Sequence, residues 1–224
     1  MIAASLAILG KDMRLLVFRS GVIVQSFLLG LTLVFVFSLS MAPGQKSSPQ
    51  ENAAVFWMSS IFFSIMIFNQ LYRLEEDNGS RAGLLLANIR TQAIWLGKCL
   101  TGFLLLLGAQ AIFLPAVVAF LGQSEIAMPG EGFLMLLLAD AGISTLGALL
   151  GAVSHSAASR DSLLSVILFP LLIPLLLAAV SVGSAVFGAD NAALSSWFGL
   201  AAAFDAIFIA AALILFGFIY GGDE

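Results

Sequence analysis

The sequence predicts an all-α membrane protein, with six transmembrane helices behind an N-terminal interfacial amphipathic helix. Three observations carry that expectation. The chain of 224 residues is 61% hydrophobic and only 10% charged, against about 25% charged in soluble domains. Its apolar residues gather into runs of roughly 20, the length that crosses about 30 Å of hydrocarbon. Its basic residues lie almost entirely on one side of those runs. Lys11, Arg14 and Arg19 precede the first run. Arg73, Arg81, Arg90 and Lys98 lie between the second and third, and Arg160 between the fourth and fifth. Lys46 alone falls opposite. An even number of spans puts both chain ends on one side, and the positive-inside rule makes that side cytoplasmic. One span more or fewer would scramble the bias.

Residues 2–19 come first. Ile2, Leu6, Leu9, Met13 and Leu16 recur at spacings of four and three, which marks one helical face. Such a helix, with basic residues and just ahead of a span, is expected to lie in the interface plane. It serves there as an anchor or as an elbow bracing a moving bundle. The spans follow at about 21–41, 53–72, 97–121 (with Pro115), 133–154 (with Asp140), 163–182 (with Pro170 and Pro174) and 197–220 (with Asp205). The N-terminus lacks the basic n-region of a signal peptide, with basic residues arriving only at Lys11, and the apolar run after Arg19 exceeds a typical signal-peptide core, so it reads as a retained span. The opposite loops, "MAPGQKSSPQEN" and "GQSEIAMPGEG" among them, are short, polar and punctuated by Gly and Pro. The whole chain, 1–224, is expected to form one membrane domain.

The composition excludes several chemistries. One cysteine, Cys99, cannot form an internal disulfide. With a single histidine, His155, it cannot build a zinc or iron–sulfur site from this chain alone. No phosphate-cradling G-x-x-x-x-G-K-[ST] run is present, so any ATP must be bound by another chain. Basic residues follow topology rather than forming a nucleic-acid stripe. His155 reads as an interfacial polar residue or a ligand, and Cys99 as a small buried residue at the start of the third span.

The most charged stretch is "RLEEDNGSRAGLLLANIR", residues 73–90. Asp77 or Ser80 can N-cap a short helix there, and Gly79 suits the turn before it. Leu84, Leu85 and Ile89 then form an apolar patch that needs a cover. Glu75, Glu76 and Asp77 disfavour anionic lipid and suit the basic rim of a protein partner. The alternative is an acidic turn in water. Residues 73–92 are therefore expected to form a cytoplasmic docking and coupling segment, with Arg73, Glu75, Glu76, Asp77, Gly79, Ser80, Leu84 and Leu85 as its candidate residues.

Two more constellations stand out. Asp140 and Asp205 lie at similar depth, some 10–12 Å from the outer face by the helical rise. No Lys or Arg is expected in a span beside them. Intramembrane carboxyls normally face a bundle interior or a wet cavity. Gln110, Ser144 and Thr145 are candidate hydrogen-bond partners. The two acids line a hydrated vestibule or form a proton-sensitive or substrate-contacting pair. Pro170 and Pro174 sit one turn apart in mid-span and are expected to kink or break that helix, as a static bend or a hinge. The small residues of "AGISTLGALLGA" allow close helix approach, within the chain or at a homodimer seam.

"LYRLEEDNGSRAGLLLANIRTQAIWLGKCLTGFLLLL" resembles the heme exporter protein B (CcmB) family, membrane subunits of the cytochrome c maturation ABC transporter. The shared elements are Tyr72-Arg73, the acids Glu75 to Asp77, the Asp77-Asn78-Gly79-Ser80 turn, Leu84 to Leu86 and Lys98 opening the next span. "LLSVILFPLLIPLLL" and "GALLGAVSHSAASRDSLLS" are similar to the family's fifth span and the end of its fourth. A proline frequent in the family after the Leu-rich segment is replaced here by "LANIRTQ". The resemblance implies an ABC-2-type permease fold in the bacterial inner membrane. It implies a homodimer partnered by a CcmA-like ATPase that binds the ATP, and by CcmC- and CcmD-like maturation proteins. It also implies heme as a possible substrate, passed through or released on a loaded chaperone, with no cofactor resident in this chain. From the residues alone, a general ABC-2 permease for lipid, drug or polysaccharide and a non-transporting scaffold stay open.

Overall fold

In the computed structural model the described residues are 1–19, 21–42, 45–77, 83–84, 86–87, 89–123, 126–156, 160–189 and 193–221. Side chains at 19, 76, 77, 155, 156, 160–165 and 221 fall outside that description. Among the described residues the chain forms seven long α-helices and no strand: α1 Ile2–Arg19, α2 Val22–Ser40, α3 Pro49–Asp77, α4 Thr91–Phe120, α5 Pro129–Ser156, α6 Arg160–Val186 and α7 Leu194–Gly221. Helices α2 to α7 are long and apolar enough to cross a membrane. The fold class is the expected one: six spans and an N-terminal helix.

Local chemistry fixes the helix ends. Ser48 and Glu51 form a reciprocal cap at the start of α3. The Ser48 N–H donates to Glu51 Oε2 at 2.7 Å and the Glu51 N–H to Ser48 Oγ at 3.2 Å, with Pro49 as the first helical residue. Helix α6 closes on Gly188, whose φ of +95° is left-handed. Its N–H donates to the Ala185 carbonyl, and the next N–H, of Ala189, to Ser184. That pair of bonds caps the last turn, and a side chain at 188 would strain it.

Helix α5 is central, packed against α3, α4, α6 and α7. Its small residues are spent inside the chain. Gly147 receives the ring of Phe68 from α3, Gly151 the ring of Tyr72, and Gly142 the Asp205 carboxyl of α7. Phe68 also presses on Gly102 of α4, and Phe113 of α4 on Gly30 of α2. Rings of Phe27, Phe63 and Phe113 meet at centroid distances of 5.0, 5.9 and 6.1 Å and fill the space between α2, α3 and α4. At the end of the bundle remote from both chain termini, polar groups stitch the loops. Asn52 Nδ2 donates to Gln123 Oε1 at 2.9 Å, Gln123 Nε2 to the Phe187 carbonyl at 2.8 Å, and the Ala127 N–H to Val186 at 2.8 Å. This is the distal end. The other is the basal end.

The helices depart from the expected spans in instructive ways. α3 runs five residues beyond Tyr72 and α4 starts six before 97, so these helices take up both ends of the 73–92 segment. Lys98 therefore does not open a span but lies seven residues inside one. Helix α6 is continuous through Pro170 and Pro174 rather than broken, and both prolines are exposed. The expected apolar face of helix α1 is divided: Ile2 and Leu6 are exposed, Leu9 and Met13 half-buried, and Leu16 buried. Ser5, Ile8, Asp12 and Leu16 point into the bundle, while Ile2, Leu6, Val17 and Phe18 (82% exposed) point out. Ile8 and the Ser5 carbonyl lie against Gly97, and Ser5 Oγ donates to the Ala93 carbonyl at 3.0 Å. The buried stripe thus mixes two polar residues, each with its own partners, with two apolar ones, and the remaining apolar side chains are left exposed.

Candidate functional site

Four charges converge at the basal end. Lys98 Nζ of α4, fully buried, lies 2.9 Å from Glu75 Oε1 of α3 and 3.7 Å from Asp12 Oδ2 of α1. Lys11 Nζ lies 2.7 Å from Glu75 Oε1 and 3.0 Å from Asp12 Oδ1. Two cations thus face two carboxylates, and the cluster is neutral. It is also wrapped in aromatics. Tyr220 of α7 donates its hydroxyl to Glu75 Oε2 at 3.0 Å, and Lys98 Nζ sits 4.4 Å from the centre of the Tyr72 ring. The Tyr72 hydroxyl donates in turn to the Ala148 carbonyl of α5. One network therefore joins α1, α3, α4, α5 and α7.

Helical geometry explains why these residues meet. Phe68, Leu71, Tyr72 and Glu75 are related by offsets of three and four, so Glu75 continues the buried stripe of α3. Gly97, Lys98, Thr101 and Gly102 do the same on α4, and Ser5, Ile8, Asp12 and Leu16 on α1. Buried charges persist only when paired and hydrogen-bonded, and here each has two partners or more. At Lys11, burial pulls the pKa down, but Asp12 and Glu75 outweigh it and hold the ammonium above its ordinary 10.5. A raised cationic pKa stabilises the fold fully below 10.5 and loses that contribution as pH climbs through the raised value. Stability that depends on Lys11 is therefore expected to stay level across neutral pH and fall in strong alkali. Lys11→Met, melted at a series of pH values, should lose that alkaline fall.

The network reassigns one candidate docking residue. Glu75 was expected on a partner-facing surface, but it is 2% exposed and fully engaged inside the chain. Leu84 is half-buried and packs against the core. Arg73 is exposed. Gly79, Ser80 and Leu85 lie outside the described residues, as do the side chains of Glu76, Asp77 and His155. The segment presents a residue not singled out for docking, Leu86, 86% exposed in the turn held by the Ala87 N–H to the Gly83 carbonyl.

The bundle interior holds the second constellation. Asp140 is fully buried, and Gln110 Nε2 donates to its Oδ1 at 2.7 Å. Asp205 lies on a different side of α5, with Oδ1 over Gly142. The two acids are thus apart, not a pair: 140 and 142 differ by about 200° around the helix at 100° per residue. They lie eleven residues beyond Pro129 and Leu194, the first residues of their helices. That is about 16 Å along the axis from each helix start at 1.5 Å per residue, and the two acids sit at matching positions in their helices. A cation does lie in a span, Lys98, but Glu75 and Asp12 engage it. Thr145 faces Cys99, with Sγ 3.8 Å from its Oγ1. Near the distal end an apolar cavity of about 220 Å³ is lined by Phe56, Trp57, Leu114, Phe133, Met135 and Val186, among others.

A bundle of six spans with a docked interfacial helix, closed at one end by buried ion pairs, defines a multi-pass α-helical membrane protein. Its chain carries no nucleotide-binding motif. It belongs to the CcmB family, whose model, described as CcmB protein, matches residues 3–219. It is similar to Heme exporter protein B of Haemophilus influenzae (strain ATCC 51907 / DSM 11121 / KW20 / Rd), with 26% identity over 177 residues, 79% of this chain and 80% of the relative. No solved structure matches the chain.

Proposed function

We propose that the chain is the membrane subunit of an ATP-driven heme-export complex serving cytochrome c maturation. It converts ATP hydrolysis on a separate CcmA-like subunit into movement of its helices. Family membership and the named relative support the passenger and the setting. Both termini and the docking segment face the cytoplasm in this reading, as the one-sided basic residues require. A homodimer of the chain, with CcmC- and CcmD-like proteins beside it, completes the assembly. Of the residues lining the distal cavity, only Met135 is of a type that ligates heme iron.

The observation that carries the mechanism is the unbroken α3. It runs for 29 residues from its distal cap to Asp77, with Glu75 locked to Lys98 and Lys11 two residues before its end. A push on residues 73–77, the last residues of α3, enters that helix directly. Through Glu75 it reaches α4, α1 and α7 in the same displacement, with no slack loop between. The docking surface is formed by Arg73, Glu76, Asp77 and Leu86, and Glu75 is the joint behind it.

Reversing Glu76 and Asp77 to lysine is expected to abolish co-purification of the ATPase subunit while the membrane subunit still accumulates and melts normally. Leu86→Asp should weaken the association by about tenfold or more, as for an apolar anchor in a helix-in-groove contact. Undiminished co-purification and ATP turnover in both variants would place the docking surface elsewhere. Heme absorbance of the purified complex, recorded with and without ATP, tests the passenger separately.

A further inference from the structure

We infer that Gln110, Asp140 and Ser144 bind one small hard monovalent cation, a proton or a sodium ion, in the middle of the bundle. Three side-chain atoms at this place are buried and without a hydrogen-bond partner among the described residues: Asp140 Oδ2, Gln110 Oε1 and Ser144 Oγ. Gln110 is 2% exposed, and Asp140 and Ser144 are fully buried. Gln110 and Asp140 touch, and Ser144 lies one turn along the same helix as Asp140. The Gln110 amide already donates to Asp140 Oδ1, which brings its own carbonyl oxygen beside the carboxyl. Ser144 follows Asp140 by one turn on the same face of α5. Ser60 of α3 backs the group, 3.4 Å from Gln110 Nε2 and donating to the Phe56 carbonyl at 2.9 Å.

The chemistry of these atoms selects the occupant. A carboxyl oxygen and an amide oxygen both accept, and the serine hydroxyl can accept as well. A buried set of acceptors calls for a donor or a cation, since leaving them unmatched is costly. Oxygen donors suit hard cations. A single carboxylate balances a single positive charge, which disfavours a divalent ion. Among the described residues no protein cation serves the role. Lys98 is twelve residues away along α4, about 18 Å, and is held by Glu75 and Asp12. The other titratable groups in this mid-bundle region are Cys99 of α4, turned to Thr145, and Asp205 of α7, on another side of α5. Among the described residues of α3 and α6, titratable side chains lie only toward the ends of α3, as Glu51, Tyr72, Arg73 and Glu75.

The full-length chain in nanodiscs tests this by infrared spectroscopy and by thermal melting with sodium chloride against choline chloride. If the occupant is a proton, the wild type shows the carbonyl stretch of a protonated carboxylic acid that is lost in Asp140→Asn. The band shifts in Gln110→Leu, which keeps the acid and removes its donor, and sodium leaves it unchanged. If the occupant is sodium, sodium chloride raises the melting midpoint of the wild type and suppresses that band, and Asp140→Asn abolishes both responses. Should Asp140→Asn fail to fold, Gln110→Leu alone must move the band or the sodium response. The inference is overturned if no protonated-acid band depends on Asp140 or Gln110 and sodium affects wild type and variants alike.

Discussion

Lys98→Met is expected to destabilise the protein by about 3–5 kcal/mol, the usual cost of removing one partner from a buried ion pair. The ammonium is fully buried beside Glu75 and Asp12, both 2% exposed. Its loss leaves two carboxylates facing Lys11 alone. Because Lys11 keeps both contacts, the effect should fall toward the lower end of that range. Methionine retains the stem length and much of the volume, so the change reads the charge rather than a cavity. Adding Glu75→Gln to Lys98→Met removes one charge of each sign and should recover part of the loss, a coupling that only touching residues show. Thermal midpoints in detergent or nanodiscs supply the comparison. A midpoint for Lys98→Met equal to that of the wild type would mean the cluster contributes nothing to stability.

The second large effect is steric. Phe68 is 1% exposed, with Gly102 on one side and Gly147 on the other. A β-carbon at Gly147 would stand only 2.3 Å from Phe68 Cδ2, and one at Gly102 only 2.1 Å from Phe68 Cζ. The ring has no free space to turn into, so a helix must move. Gly147→Ala is expected to cost about 1–3 kcal/mol by overpacking, and Gly147→Val more, with a matching drop in the amount of folded protein. Phe68→Leu should be damaging alone but relieve Gly147→Ala when combined with it. Strictly additive losses in the double variant would refute the shared contact.

Much of this architecture is legible in one dimension. Run length counts the spans, and the placement of Lys and Arg orders them, because both signals depend on neighbours in sequence. What the sequence hides is which charges face each other across the bundle. Glu75, Glu76 and Asp77 look equivalent as a run of acids, yet Glu75 belongs to the stripe of Phe68, Leu71 and Tyr72 and turns inward. The spacing that separates it was present in the sequence, masked by the assumption that helix ends with hydrocarbon. Lys98 was hidden in the same way, since a lysine near a span boundary reads as topology until the helix is seen to begin at Thr91. In α1 the apolar residues were visible, but not that Ser5 and Asp12 would share the inner face with Ile8 and Leu16. The depth of Asp140 followed from its helix. Its amide partner, Gln110, came from polarity alone, since few polar groups exist at that level.

The outward apolar stripe of α1 has a mechanical corollary. Ile2, Leu6, Val17 and Phe18 set the height at which this helix floats, while Asp12 and Lys11 on its other side grip α3 and α4. Membrane thickness thereby acts on the ion cluster. A bilayer too thin or too thick draws α1 up or down at a modest cost per ångström, and the strain lands on Lys98. The surrounding lipid thus acts as a tuning spring, and a transporter reconstituted in acyl chains of graded length should turn over fastest at one intermediate length.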